Sequence, residues 1–273
     1  MNVRVRFAKY GAVKFIGHLD VLRYFQKAVR RAGLKIAYSQ GFHPHQIMSF
    51  ASPLGVGITS EGEYMDMELT AEYTPQEIVA ALNGAMVEGF TVLSARILPE
   101  PENGRKRETA MSLVTAADYL VTVKETDCFF GAKPLNELKE AWERFYGQDS
   151  IPVVKKVKKS NTETSVDLKP FLYEAALGEE FSLTAVTKHK NDADFYEVES
   201  IPDYAGDYKE VCREKSLFSV NLRVSAGSAD NIKPELVMEA FARFLGCDEP
   251  ENLSFQIHRL DMYTGNHPEL KSL

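Results

Sequence analysis

The 273-residue sequence contains 44% hydrophobic and 26% charged residues, which is typical of a globular protein and excludes wholesale disorder. No apolar run approaches the roughly 18 residues that a membrane helix needs, and the charged start is unlike a signal peptide. We therefore expect a cytoplasmic protein with no membrane partner. The formal net charge of −7 hides an asymmetry: residues 1–50 carry nine Lys or Arg and one acid, and 9 − 1 gives +8. This excess indicates either an anionic partner or neutralisation by the rest of the chain.

Cysteine usage limits the possible cofactors. Cys128, Cys212 and Cys247 are scattered, without the spacing of a zinc or iron–sulfur site, and an odd, sparse set suits a reducing compartment. We expect this chain to bind no cofactor and no metal of its own.

The first hundred residues predict one compact domain. Charged and apolar side chains alternate in a strand at 3–7. A helix at 20–32 follows, with Asp20 as its N-cap and Gly33 placed to end it. The next elements are a strand, a strand, a helix and a strand, at 47–58, 63–69, 75–87 and 90–98. The order β-α-β-β-α-β predicts a ferredoxin-like plait over residues 1–100.

The second half predicts a related but less regular domain over residues 112–273, after a charged linker at 99–108. Its predicted elements are strands and helices at 118–124, 134–145, 151–158, 164–172, 181–187, 217–224, 234–245 and 254–263. An acidic stretch at about 188–215 is expected to form an inserted surface loop. The predicted fold class is therefore α/β of the α+β type, with two plait domains and mainly antiparallel sheets.

The predicted helix at 20–32 has a cationic face. Its members share helical spacing and project away from the apolar stripe: Arg23, Lys27, Arg30 and Arg31. Such a face can contact phosphates, although an ordinary solvated surface explains it too. Arg4 and Arg6 could extend it, unless Asp66 and Glu68 on the neighbouring strand pair with them.

The segment G-H-L-D at 17–20 leads into this helix. His18 lies where backbone N–H groups favour an anion, so it is a candidate anion ligand or catalytic acid or base. An Asp–His dyad with Asp20 would need an irregular turn. Asp20 is otherwise explained as the helix cap.

The segment Y-S-Q-G-F-H-P at 38–44 predicts a stiff, ligand-binding turn. Gly41 allows a positive φ, and Pro44 restricts the residue before it. These two residues would hold Phe42 and His43 in fixed directions, with Ser39 as a polar partner. Two alternatives remain: a zinc site formed by the histidines, for which H-x-H is a weak signal, and a structural arch with Phe42 in the core.

Four motifs resemble one family: G-H-L-D-x-x-R at 17–23, R-A-G-L at 31–34, Y-S-Q-G-F-H-P at 38–44 and S-F-A-S-P-L-G-V-G at 49–57. They are similar to the radical-SAM-linked family of uncharacterised bacterial proteins, a domain of unknown function. The resemblance implies a radical SAM enzyme as partner, which would carry an iron–sulfur cluster and S-adenosylmethionine. The sequence has no C-x-x-x-C-x-x-C motif, which fits an accessory rather than the radical enzyme.

Three hypotheses follow. The leading one is an accessory protein that presents RNA, either tRNA or ribosomal RNA, to the partner enzyme. The second is a metal-independent endoribonuclease that uses His18 as acid or base. The third is a protein–protein adaptor whose basic helix docks on an acidic surface without nucleic acid.

Overall fold

The computed structural model describes residues 1–101, 107–124, 127–157, 162–178, 186, 193–200, 216–227 and 230–273. Within these ranges the chain is a mixed α/β structure with mainly antiparallel sheet and six α-helices. In chain order the elements are β1 (Asn2–Lys9), α1 (His18–Arg31), β2 (Met48–Phe50), β3 (Thr59–Glu68), α2 (Pro75–Asn83), β4 (Phe90–Leu98), α3 (Ala110–Leu113), β5 (Val114–Lys124), α4 (Cys128–Gly131), α5 (Leu135–Tyr146), β6 (Pro152–Val157), β7 (Thr162–Asp167), β8 (Leu172–Leu177), β9 (Phe195–Glu197), β10 (Ser216–Ser225), α6 (Pro234–Phe244), β11 (Phe255–Thr264) and β12 (Lys271–Ser272).

The chain divides into two compact units. The described residues of the first unit belong to Met1–Thr115, Val186–Lys209 and Arg259–Leu273, and those of the second to Ala116–Ala185 and Glu210–His258. Two segments of the predicted second domain thus join the first unit. The physical reasons are strand pairing, because β9 pairs with β4, and a buried ion pair between Arg259 and Glu63 of β3.

In the first unit β1 is the central strand and runs antiparallel to both β3 and β4. β2 pairs with β3, and β9 pairs with β4, so the order is β2-β3-β1-β4-β9. The alternating residues Val3, Val5 and Phe7 are buried in one core with Phe25 and Val29 of α1. The period-2 pattern of β1 therefore faces the helical layer, as its spacing predicts.

In the second unit the order is β8-β10-β5, β10 is antiparallel to β5 and β8, and residues 255–258 of β11 belong to the same unit. The aromatic stripe of α5 is buried, and Trp142 and Phe145 pack against Phe241 of α6 with ring centroids 4.9 and 5.4 Å away. β6 and β7 pair with each other in a separate antiparallel hairpin. β1 in the first unit and β10 in the second thus each lie between two antiparallel partners.

Several predicted elements differ from the structure. The predicted strand at 164–172 is divided, because β7 ends at Asp167, a 3₁₀ turn occupies Lys169–Phe171 and β8 begins at Leu172. The predicted strand at 47–58 is only β2, because Pro53 lacks a ladder donor and Gly57 has a φ of +90°. The predicted helix at 75–87 ends at Asn83, and the Tyr24 hydroxyl accepts from the backbone N–H of Val87 at 2.7 Å. Within the predicted acidic loop, β9 is a strand rather than loop.

Other predicted features lie outside the described residues. These are the central part of the linker, the strand at 181–187 apart from residue 186, and most of the acidic stretch at 188–215. Among the described residues no helix is long and apolar enough to cross a membrane.

Helix α2 begins with a capping box. The Glu77 backbone N–H donates to the Thr74 hydroxyl at 3.2 Å, and the Thr74 backbone N–H donates to the Glu77 carboxylate at 2.8 Å. The backbone N–H and the hydroxyl of Thr74 hold the pKa of Glu77 below its ordinary value of 4.5. Because the folded-state pKa is the lower one, the stabilisation is complete above the unfolded pKa and is lost as the pH falls through the folded pKa.

We expect Glu77→Gln to flatten the fall in the melting temperature, Tm, as the pH is lowered from about 5 to 3. Glutamine keeps the cap acceptor but has neither the charge nor a proton to take up, so the variant should be less stable than wild type near neutral pH and approach it at low pH. Thermal unfolding of both proteins across this pH range measures the effect. Parallel Tm profiles would contradict the assignment.

Candidate functional site

Three of the four α1 side chains that are predicted to contact phosphates lie together on an exposed face of the helix. Arg23, Lys27 and Arg30 are exposed and lie on one stripe at i, i+4 and i+7. Arg23 approaches the Asp20 carboxylate at 3.5 Å, an exposed contact of small energy. Among the described residues no carboxylate pairs with Lys27 or Arg30. This stripe, Arg23–Lys27–Arg30, is called the basic face below.

Arg31 differs from these three. Its Nη2 donates to the carbonyl of Ala85 at 2.9 Å, and its guanidinium lies over the ring of Tyr24, 5.7 Å from the centroid. Arg31 therefore fastens the end of α1 to the turn after α2 and is not part of the basic face.

Arg4 and Arg6 of β1 form ion pairs with carboxylates. For Arg4 the partner is the predicted one, Asp66. Arg4 donates from Nε and Nη2 to the two carboxylate oxygens of Asp66 at 2.7 and 3.0 Å, directly across β1 and β3. Arg6 pairs with Glu197 at 3.1 Å and with Asp261 at 3.6 Å, not with Glu68. Burial acts most strongly and lowers the pKa of Arg6, but the combined attraction of Asp261, Tyr64, Glu197 and Glu61 outweighs it and raises the pKa above its ordinary value. Neither arginine extends the basic face.

Helix α1 ends as the sequence indicates but begins differently. Gly33 has a φ of +74°, and its N–H donates to the Arg30 carbonyl at 3.1 Å. The N–H of Leu34 donates to the Val29 carbonyl at 3.3 Å, which completes a Schellman motif. The predicted N-cap is wrong, because the cap residue is Gly17 and Asp20 lies within the first turn.

Residues 38–46 form a closed loop at the end of a short β-ribbon. Tyr38 bridges Gln46, and the Ser39 N–H donates to the carbonyl of His45 at 2.8 Å. The Ser39 hydroxyl lies 2.8 Å from Nδ1 of His45 and accepts from its backbone N–H at 3.1 Å. Gly41 has a φ of +116°, a region that L side chains rarely adopt. The loop is thus stiffened at its neck, and Ser39 is the residue that closes it.

The tip of the loop presents its side chains to solvent. Phe42 is 102% exposed, so its ring makes no contact that shields it, and His43 and Pro44 are exposed too. The alternative in which Phe42 fills the core is therefore wrong. Tyr38, at the neck, is 48% exposed. The loop displays two aromatic rings at its neck and tip.

One side chain attaches this loop to the basic face. Gln46 is buried, and its Nε2 donates to the Gln26 carbonyl of α1 at 3.2 Å. The same carbonyl accepts from Nε of Arg30 at 3.2 Å, and Nε2 of Gln46 lies 3.4 Å from the Tyr38 hydroxyl. A chain of contacts thus runs from Tyr38 through Gln46 and Gln26 to Arg30. The neck of the loop, at Tyr38, therefore adjoins the cationic stripe.

His18 lies apart from that loop and faces the core side of α1. Its ring packs edge-on against Phe50, 5.4 Å between centroids, and it lines a narrow pocket with Lys9 and Glu63. Asp20 points to Arg23 instead, so His18 and Asp20 do not form a dyad. Within the part of the chain that the structure describes, no group of three His, Cys, Asp or Glu residues could hold a metal ion.

Sequence reasoning missed Lys9 as a component of this pocket. Lys9 is 2% exposed, and its Nζ donates to the carbonyls of Ile16 and Lys14 at 3.0 and 3.4 Å. Burial lowers its pKa, while the Glu63 carboxylate acts in the opposite direction. The signal was present: Lys9 continues the odd-numbered positions of β1, whose earlier members face the core. The partner carboxylate on β3 could not be read from a local pattern.

Comparison with known protein families gives a match over most of the chain. Residues 2–234 match a family described as an uncharacterized protein conserved in bacteria, DUF2344. No curated protein matches the chain.

Proposed function

The chain belongs to the DUF2344 family of uncharacterized bacterial proteins, and we propose that it is a cytoplasmic RNA-binding accessory protein. The basic face would bind the phosphates, and the loop at 38–46 would contact the bases. The observation that carries the proposal is the joining of these two parts through the Gln46–Gln26 contact.

The distribution of charge supports an anionic ligand for this face. The overall charge of the chain is −7, yet Lys27 and Arg30 are exposed without a carboxylate partner in the described residues. Helix α5 in the second unit carries mixed charges instead, because three exposed glutamates lie among its exposed cations: Glu137, Glu140, Glu143, Lys139 and Arg144. Cations that share one stripe of a helix and adjoin exposed rings favour a polyanion with ring systems, and RNA is the ligand of that chemistry.

We expect the triple variant Arg23→Ala, Lys27→Ala, Arg30→Ala to bind RNA at least about tenfold more weakly at roughly 0.1 M salt. Each lost phosphate contact removes about 0.7 from the slope of log affinity against log salt for single strands, so the slope should fall by about 2. Fluorescence anisotropy with labelled cellular RNA, repeated over a salt series, measures both quantities.

The matched control removes three exposed cations from the second unit: Lys139→Ala, Arg144→Ala, Arg243→Ala. It changes the net charge by the same amount and should keep the RNA affinity. If both triple variants lost the same RNA affinity, the loss would follow from net charge alone, and the proposal would be contradicted. Gel analysis of the same samples tests the endoribonuclease hypothesis. RNA cleavage by wild type that is absent in His18→Ala would favour it.

We further propose that each unit is a ferredoxin-like plait and that the protein acts beside a radical SAM enzyme. The first idea is supported by the element order β1-α1-β2-β3-α2-β4 and by the central position of β1. The second rests on the four motifs of the first sixty residues. Affinity capture of a radical SAM enzyme that survives nuclease treatment would indicate a direct protein contact, and capture that nuclease abolishes would indicate a contact bridged by RNA. A pure adaptor would also give capture that survives nuclease treatment.

A further inference from the structure

We infer that the ligand of this surface is single-stranded RNA and that Phe42 is the platform on which one unpaired base stacks. This inference rests on the proposed function and goes beyond it by naming the form of the nucleic acid and the residue that selects it.

The ring of Phe42 lies in solvent. It is 102% exposed at the tip of a loop, whereas Phe7, Phe25 and Phe90 in the same unit are buried. Leaving a ring of this size in water forgoes about 2 kcal/mol of burial. A ring that packs against no part of its own unit has both faces available to a flat partner.

The loop holds this ring in place. Three contacts between Ser39 and His45 close the neck, and Gly41 supplies the positive φ at the tip. Pro44 follows, and its own pyrrolidine ring fixes its φ. Preorganisation of this kind reduces the ordering cost of binding, so the ring is suited to stack rather than to collapse onto the surface.

An exposed aromatic ring favours single strands over duplexes. In a duplex the faces of the bases are covered by their neighbours, and a protein reaches mainly backbone and groove edges. Stacking on an aromatic side chain needs an unstacked base, which single strands supply without sequence preference. The basic face alone would bind either form, and the exposed ring gives an advantage only to the unpaired one.

The position of Tyr38 adds a second ring at the other end of the loop. It is half exposed, and its hydroxyl lies beside Gln46, which contacts the carbonyl shared with Arg30. A strand whose base stacks on Phe42 can therefore continue past Tyr38 toward Arg30. Backbone contacts on the helix and ring contacts on the loop would follow one strand.

The experiment compares wild type, Phe42→Ala and Phe42→Trp on two probes. One probe is a labelled unstructured RNA of about 12 nucleotides, and the other is the same RNA annealed to its complement. We expect wild type to prefer the single strand and Phe42→Ala to lose about 5- to 100-fold in affinity for it, with little change on the duplex. Phe42→Trp should retain the preference. All three should share one Tm, because the ring packs against nothing in its own unit.

The outcomes separate this inference from the proposed function. If single strand and duplex bind equally and Phe42→Ala has no effect, while the basic-face triple variant still loses affinity, the inference is overturned and the RNA-binding proposal stands. If no variant of the basic face changes RNA binding, the proposed function is contradicted, and the inference that rests on it is contradicted too. Unchanged single-strand affinity in Phe42→Ala overturns the inference even if the ring proves necessary for a protein partner.

Discussion

Replacing Gly62 with alanine is expected to destabilise the protein by about 3 kcal/mol, a fall in Tm of about 10 °C. Gly62 lies in β3, beside β11. A Cβ added there would lie 2.4 Å from Cα of Asp261, 2.9 Å from its nitrogen and 3.0 Å from its carbonyl carbon. Backbone atoms of a paired strand cannot move away as a flexible side chain can, so the strands must separate.

Gly17→Ala is the control for this substitution. A Cβ at Gly17 meets nothing within 4 Å, and its φ of −77° is accessible to any residue. The control should cost no more than about 1 kcal/mol, through its weaker capping of α1. Thermal unfolding followed by circular dichroism compares the two variants. Equal Tm values for Gly62→Ala and Gly17→Ala would show that β3 and β11 do not approach as closely as described.

The second large effect is expected for Glu63→Ala, at about 3–5 kcal/mol. Glu63 accepts from Nε of Arg259 at 3.0 Å, and both side chains are more than nine-tenths buried. Arg259 also donates to the Ser52 carbonyl, and buried Lys9 lies in the field of the same carboxylate. Removing Glu63 leaves two buried cations without this counter-charge.

Glu88→Ala removes an exposed carboxylate from the same unit and should change stability by less than about 0.5 kcal/mol. Urea unfolding of the two variants at neutral pH measures the difference between them. A cost below about 1 kcal/mol for Glu63→Ala would mean that water reaches Arg259 and Lys9. The pair would then be a surface contact rather than a link between β3 and β11.

The elements with a strong local signal were predictable from the sequence. β4 has the predicted bounds, and α1 extends the predicted helix by only two residues at its start. Period-2 and period-3.6 patterns report which face of an element is buried, so they remain correct wherever one face meets the core. The strand at 47–58 shows the limit: its apolar residues belong to a turn that Pro53 and Gly57 impose.

The residues of the basic face were also predictable, because helical spacing places them on one side of α1. The attachment of the loop to that face was not, since it depends on Gln46 meeting a backbone carbonyl twenty residues earlier in the chain. The same holds for Arg6, which pairs with Asp261 across 255 positions of sequence. Contacts of this kind follow from strand order rather than from any local pattern.

The most direct test of the central claim, that the basic face and its adjoining loop bind RNA, is ultraviolet crosslinking in cells followed by mass spectrometry of the modified peptides. We expect nucleotide adducts on residues 38–46, above all on Phe42 or Tyr38. Recovery of RNA should fall in the Arg23, Lys27, Arg30 triple variant but not in the Lys139, Arg144, Arg243 control. Adducts confined to the second unit, or equal RNA recovery from the two triple variants, would contradict the account.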